Sequence, residues 1–290
     1  MSIYDAFQNK GDSSPTYSKE EYAQKKKAER EAAYDMIESA ASKIKTDGKA
    51  LENYLKVQGN FDRYSVANAM LVSEQMPEAT LLKDAKGWRD ARIYPNQGAN
   101  KITILEPGKE YTRDDGTIGT SFNTKGVYDI SQTSARIRTE DMEQKPMRQL
   151  VGALIKASPV AFQLLDNLDA PAFYDQAQEV IFVKKDLPER DLFLSLTKEI
   201  AAAIYHVKHQ EDRADSEFKS YAVAYMVGHK VGVDVSDFSF DELPEEFSTL
   251  DSKELRDELN TMRDVLGEIH KDMYKSLEQE KNTRSREEER

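Results

Sequence analysis

Hydrophobic and polar positions change rhythm three times along this chain. From Ser18 the segment "KEEYAQKKKAEREAAYDMIESAASKIK" places small and apolar residues at helical spacing. Ser18 with Glu21 three residues on is a capping-box pattern, so a helix is expected to start there. Residues 1–17 are polar and turn-rich and predict a flexible arm. "TDG" closes the helix, with Gly48 expected in the left-handed end position. "KALENYLKVQ" and "VANAMLVSEQM" predict two further helices, the last stopped by Pro77.

After Pro77 the period shortens. "ATLLKD" and "NKITILEP" read as strands joined by "GWRDARIY". "KEYTRDDGTIGTSFNTKGVYDIS" reads as a hairpin turning at Asp115-Gly116, with Tyr111, Phe122, Val127 and Tyr128 on its arms. "SQTSARIRTEDMEQKP" is a polar linker. Then come a helix, "MRQLVGALIKAS", a short hairpin ending in the β-rich "EVIFVK", and two helices over about 189–208 and 213–231. Leu255, Leu259, Met262, Leu266, Ile269 and Met273 recur at alternating spacings of four and three, a heptad seam. It fits an amphipathic helix lying on the body of the protein, or a coiled coil with a partner or a second copy. The last dozen residues are expected to fray.

The pattern predicts an α+β chain in two domains. A flexible arm and charged helix (1–47) precede a small α+β domain (48–136). A mostly helical domain (147–250) and a heptad helix with its tail (251–290) follow. Composition narrows the function. The 290 residues carry a net charge of −12, which disfavours nucleic acid unless charge is locally redistributed. The absence of cysteine removes disulfides, thiolate metal sites and cysteine nucleophiles. No apolar run approaches the ~20 residues of a membrane helix, and the N-terminus has no apolar signal core. A cytoplasmic location without membrane contact is the expectation.

Two places could carry chemistry. "LTKEIAAAIYH" followed by "FKSYAVAYMV" has the rhythm of a zinc-peptidase helix pair. Such a site needs two histidines one turn apart around a glutamate, plus a third ligand. Glu199 is present, but Lys198 and Ala202 stand where the histidines would be, and neither can hold zinc in that geometry. His206 and His209, three apart, could chelate a metal with Glu199 as a displaced site, or be solvated at a helix end. Glu199 itself fits a surface or salt-bridged carboxylate as readily as a general base.

The second place is the N-terminal module. Residues 47–136 hold twelve Lys/Arg and twelve Asp/Glu, so the chain's negative excess lies elsewhere. Arg63, Lys86, Arg89, Arg92, Lys101, Lys125 and Arg136 interleave with Tyr64, Trp88, Tyr94, Phe122 and Tyr128. Cations that track phosphates beside aromatic faces are the mixture used for single strands, with stacking worth ~1–3 kcal/mol per base. Core packing accounts for the same aromatics equally well.

"FDRYSVANAMLVSEQMPEATLLKDAKGWRDARIYPNQGANKITILEP", followed by "GVYDISQT", resembles the single-stranded-DNA-binding domain of the ArdC antirestriction family. The resemblance covers about 75 residues, through Tyr64, Ser65, Asn68, Pro77, Ala79, Thr80, Trp88, Arg92, Gly98 and the Asp129–Thr133 strand end. It continues in the second half, where the family carries a zincin-like metallopeptidase domain. There "FYDQAQEVIFVKKDL", "LTKEIAAAIYH" and "FKSYAVAYMVGHKVGVD" keep the frame. Tyr221 stands at the position of the third-ligand glutamate, so all three ligand positions, Lys198, Ala202 and Tyr221, are lost. The basic glycine turn is also weakened: Asn96, Gln97 and Asn100 occupy positions often held by lysine, and Ala91 replaces a glycine.

The resemblance implies a non-enzymatic, sequence-nonspecific single-stranded-DNA-binding protein of a mobile element or phage, with an inactive metallopeptidase-like domain, no metal and no cofactor. The expected DNA surface is Arg63, Tyr64, Asn68, Trp88, Arg92, Lys101 and Lys125, with Asn68 also readable as a buried hydrogen-bonding residue. Partner binding or self-association through 251–280 is a further expectation. The alternative is an interaction protein or DNA mimic that acts through its acidic surface and C-terminal helix against a restriction or defence enzyme.

Overall fold

A computed structural model describes residues 18–135 and 145–288, with side chains to Lys281. The expected arm at 1–17, the middle of the linker with Arg136, and the side chains of the tail lie outside the described residues. Helix α1 spans Lys19–Ile44. Ser18 Oγ accepts from the Glu21 amide while the Glu21 carboxylate accepts from the Ser18 amide, closing the capping box. Gly48 departs from expectation. It opens α2 (Gly48–Asn60), whose cap is Asp47. Glycine is needed because a Cβ there would lie 1.9 Å from the Phe240 carbonyl oxygen. Helix α3 (Val66–Gln75) follows, capped by Ser65.

Strands β1 (Leu82–Lys83), β2 (Ile102–Thr112) and β3 (Ile118–Asp129) form an antiparallel sheet in the order β1-β3-β2. The hairpin turns at Gly116, which has a positive φ of 82°. Between β1 and β2, the Asp84 side chain caps a short helix, α4 (Ala85–Asp90). Strand β2 is an edge, and α3 covers part of it. Asn68 accepts from the Leu105 amide at 2.7 Å and donates to its carbonyl at 2.9 Å. Gln75, two turns on, does the same for Thr103 at 2.8 and 2.9 Å. Two side-chain amides thus stand in for a missing strand.

The second half begins with α5 (Met147–Lys156) and a sheet in the order β4-β6-β5. Strand β5 (Ala172–Asp175) pairs antiparallel with β6 (Val180–Lys184), as the expected hairpin. Strand β4 (Ala161–Leu165), parallel to β6, has no counterpart in the sequence pattern. Helix α6 (Glu189–Ile204) runs into a π turn at Tyr205–His209, and α7 spans Arg213–Lys230. A short α8 (Glu245–Thr249) leads to the long α9 (Ser252–Glu288).

Buried side chains of both halves belong to one cluster, from Ile37, Leu51 and Leu71 to Leu154, Ile200 and Val223. Helix α2 packs on α7, with Gly59 set so that a Cβ would lie 3.0 Å from the Met226 carbonyl oxygen. Helix α9 packs on α5 and α7, and also meets α1, α3 and α6. All six heptad residues, Leu255 to Met273, are buried there. That matches the reading of 251–280 as an amphipathic helix lying on the body of the protein, its apolar seam packed inside the chain. Each such side chain contributes roughly 1.5–3 kcal/mol on burial. Among the described residues, no helix is long and apolar enough to cross a membrane.

Candidate functional site

Helix α6 aims Lys198 and Glu199 at a cavity of about 450 Å³ that α7 closes with Arg213, Glu217 and Tyr221. Strand β5 forms the rim with Phe173. Glu199 is 3% exposed. A carboxylate so deep must be answered by charge or hydrogen bonds. It is answered by both. The Tyr174 amide donates to Oε2 at 2.8 Å. The Arg213 guanidinium bonds both oxygens in a fork, Nη1 to Oε2 and Nη2 to Oε1, the latter at 3.1 Å. Arg213 also lies over the Phe173 ring, 4.6 Å from its centroid. Burial works against its charge, but the Glu199 bond and the charges of Glu199 and Glu217 together outweigh burial and raise its pKa above the usual arginine value.

The three residues expected at ligand positions, Lys198, Ala202 and Tyr221, are each spent locally. Lys198 pairs with Glu217, which also stands 3.6 Å from Arg213. Ala202 is buried in the core. The Tyr221 hydroxyl accepts from the Ser239 amide at 2.9 Å, and its ring centroid is 4.6 Å from that of Phe238. The cavity therefore holds two cations balanced by two carboxylates, and none of its walls presents an imidazole. These residues do not fit a metal. A divalent ion beside Glu199 would meet the guanidinium at close range. Nor do His206 and His209 supply a displaced site with Glu199. His206 Nδ1 bonds the Tyr174 hydroxyl at 2.8 Å, and the His209 ring packs on Tyr205. Among the described residues, no group of three His, Cys, Asp or Glu is placed to hold a metal ion.

The expected DNA surface divides. Arg63, Arg92 and Lys101 are exposed. Arg92 sits just past α4 with a positive φ of 58°, a strained conformation for a residue with a side chain. Tyr64 is half-buried and stacked on Phe61 at 5.1 Å. Lys125 is already held by Asp84 at 3.0 Å and Glu106 at 3.3 Å, and those bonds raise its pKa. Trp88 and Asn68 require correction. Trp88 is 1% exposed and its indole N–H donates to the Tyr128 carbonyl at 2.8 Å, so it has no face for a base. Asn68 spends both ends of its amide on Leu105.

Sequence reasoning passed over two features. Asp62, on the α2–α3 turn, bonds His270 Nδ1 of α9 at 2.9 Å and Lys230 of α7 at 3.1 Å. His270 is buried, with Nε2 unpartnered. Only a lone histidine on an apolar heptad face hinted at this. The other feature is α1, which lies on the β2–β3 hairpin rather than apart from it.

This architecture, a helix-rich α+β chain carrying two small sheets on one core, is similar in fold to a solved plasmid antirestriction protein. The solved protein is ArdC from the R388 plasmid, one of the structures this chain resembles. Its Mn(II)-bound crystal structure matches 83% of this chain and 97% of that one, with a TM-score of 0.53 and 11% sequence identity. Its metal-free crystal structure gives a TM-score of 0.43 and 14% identity over 76% of this chain and 86% of that one. The likeness is one of fold. No family model matches the sequence, and no curated protein matches it.

Proposed function

We propose that this protein is a non-catalytic, single-stranded-DNA-binding protein of the antirestriction type, carried by a mobile element or phage. Its second half is a metallopeptidase-like scaffold without metal. The observation that carries the reading is the Arg213–Glu199 fork: a guanidinium sits against the one carboxylate that could have activated water. With lysine, alanine and tyrosine at the ligand positions, neither a Lewis acid nor a general base is available there.

Binding then falls to the first half. Arg63, Arg92 and Lys101 are the exposed cations of the expected surface, and Tyr64 offers a partly accessible ring. Lys125 contributes less, because Asp84 and Glu106 already neutralise it. Contacts of this kind give little sequence selectivity and depend on salt. The likeness of fold to an antirestriction protein supports the setting.

The test is an anisotropy titration with single-stranded and double-stranded oligonucleotides of equal length at two salt concentrations. The expected result is preferential binding of the single strand, weakened by salt. Equal affinity for single strands and an acidic polymer of no nucleic-acid character would sink the reading. A DNA-mimic role has one observation in its favour: Asp234, Asp237, Asp241, Glu242, Glu245 and Glu246 crowd one segment, with Arg190 bound to its first two acids. In that case neither oligonucleotide would bind.

A further inference from the structure

Helix α1 forms a wall of a groove whose floor is the β2–β3 hairpin. Glu29 accepts from Thr124 Oγ1 at 3.0 Å, pinning the helix to the sheet, while Ala33 and Ile37 are buried further along. Side chains alternate along a strand, so Phe122 and Thr124 share the face turned to α1. Lys101 joins them there: its stem lies so close over Gly126 that a Cβ would come within 2.8 Å of Lys101 Cδ. Two cavities, of about 290 and 620 Å³, follow the junction and share Lys26, Glu29's neighbour in an ion pair, and Thr124.

The charge of this groove runs against that of the chain. Lys26, Arg30, Lys101 and Lys125 line it against Glu29 and Glu106. Both carboxylates are engaged, Glu29 by Lys26 and Glu106 by Lys125. Among the described residues Arg30 and Lys101 have no carboxylate partner. Arg30 comes from α1 and Lys101 from the residue just before β2. Beside them, Tyr22 on α1 and Phe122 on β3 are 54% and 39% exposed. A chain with a net charge of −12 that keeps two unneutralised cations along one groove, Arg30 on its helical wall and Lys101 over its floor, with aromatic rings nearby, is matched to a flexible polyanion bearing flat bases.

We infer that the groove between α1 and the β2–β3 hairpin is the path of an unpaired nucleic-acid strand, with Arg30 on the helical wall and Lys101 over the floor gripping its phosphates at successive points and Phe122 offering a stacking face. The inference rests on the DNA-binding reading. It adds α1, which the sequence pattern set apart from the binding module, as half of the site.

The test uses the full chain and a fluorescein-labelled oligothymidylate. The Arg30→Ala/Lys101→Ala variant is compared with Lys271→Ala/Lys275→Ala, which removes the same charge from the exposed side of α9. Thermal melts check that each is folded. The groove variant is expected to bind roughly tenfold more weakly, and to flatten the slope of log K against log salt by about 1.4 (two contacts at about 0.7 each), while the α9 variant binds as the wild type. Phe122→Ala should weaken binding at every salt concentration without altering the slope. If wild type binds and the groove variant is unchanged, or both charge variants lose equally, the groove assignment falls and the DNA-binding reading stands. If wild type does not bind, both fall.

Discussion

Arg213 decides the chemistry of the second half at the scale of single residues. Its fork on buried Glu199 is a satisfied ion pair, and removing one member strands the other. Arg213→Ala should destabilise the protein by about 3 kcal/mol, the low end for a buried pair because Arg213 keeps partial access to solvent. Urea denaturation measures this. A loss under about 1 kcal/mol would mean that solvent already screens the pair. Arg92 allows stability and binding to be separated. Its positive φ costs roughly 1 kcal/mol that glycine would not incur. Arg92→Gly should therefore raise or hold the melting temperature while weakening DNA binding. A variant that binds DNA as well as the wild type would remove Arg92 from the surface. Trp88 is the contrasting case. Trp88→Phe removes the indole donor to the Tyr128 carbonyl and should cost about 1 kcal/mol in stability, with DNA affinity unchanged.

Among the elements, the most informative contact is α3 on the edge of β2. Gln75→Ala uncovers the amide and carbonyl of Thr103. It should speed hydrogen exchange at the Thr103 amide and cost about 1–3 kcal/mol. Exchange that stays slow would mean that burial alone protects the strand. Elements were legible in the sequence where their causes are local. The α1 capping box depends on two residues three apart, and the β2–β3 turn on Asp115-Gly116, and both could be read directly. Gly48 could not, because the Phe240 backbone that forbids a side chain lies far along the chain. Strand β4 was missed because its partner is a parallel strand and its side chains, such as Leu164, stay largely exposed, so no alternation marks it. The altered positions Lys198, Ala202 and Tyr221 were legible as residue types. Arg213 was not, since nothing in its spacing from Glu199 says that the two side chains meet.

Over the whole molecule, the halves share one core, and the α9 seam is buried in it. The Asp62–His270–Lys230 network ties the α2–α3 turn to α9 and α7. Burial pushes His270 below the ordinary histidine range, since the Asp62 charge that would favour imidazolium is shared with Lys230. His229 is lowered by burial too. Folding therefore favours the neutral rings. That contribution is complete above about pH 6.5, the unfolded value, and is lost as pH falls below it toward the folded values. The His270 bond also holds Asp62 well below the usual carboxylate range, which adds a further loss below about pH 4. The urea midpoint should drop between pH 7 and pH 5, and drop less in His270→Gln. Equal slopes would exclude the network as the cause.

The proposed reading rests on the Arg213 guanidinium holding both oxygens of Glu199, which leaves that carboxylate none to give a metal. Metal content tests it most directly. Protein purified without chelator and dialysed against Mn(II) or Zn(II) should retain far less than one ion per chain, with an unchanged melting temperature. One tightly held ion per chain, removable by chelator and accompanied by a higher melting temperature, would contradict the account.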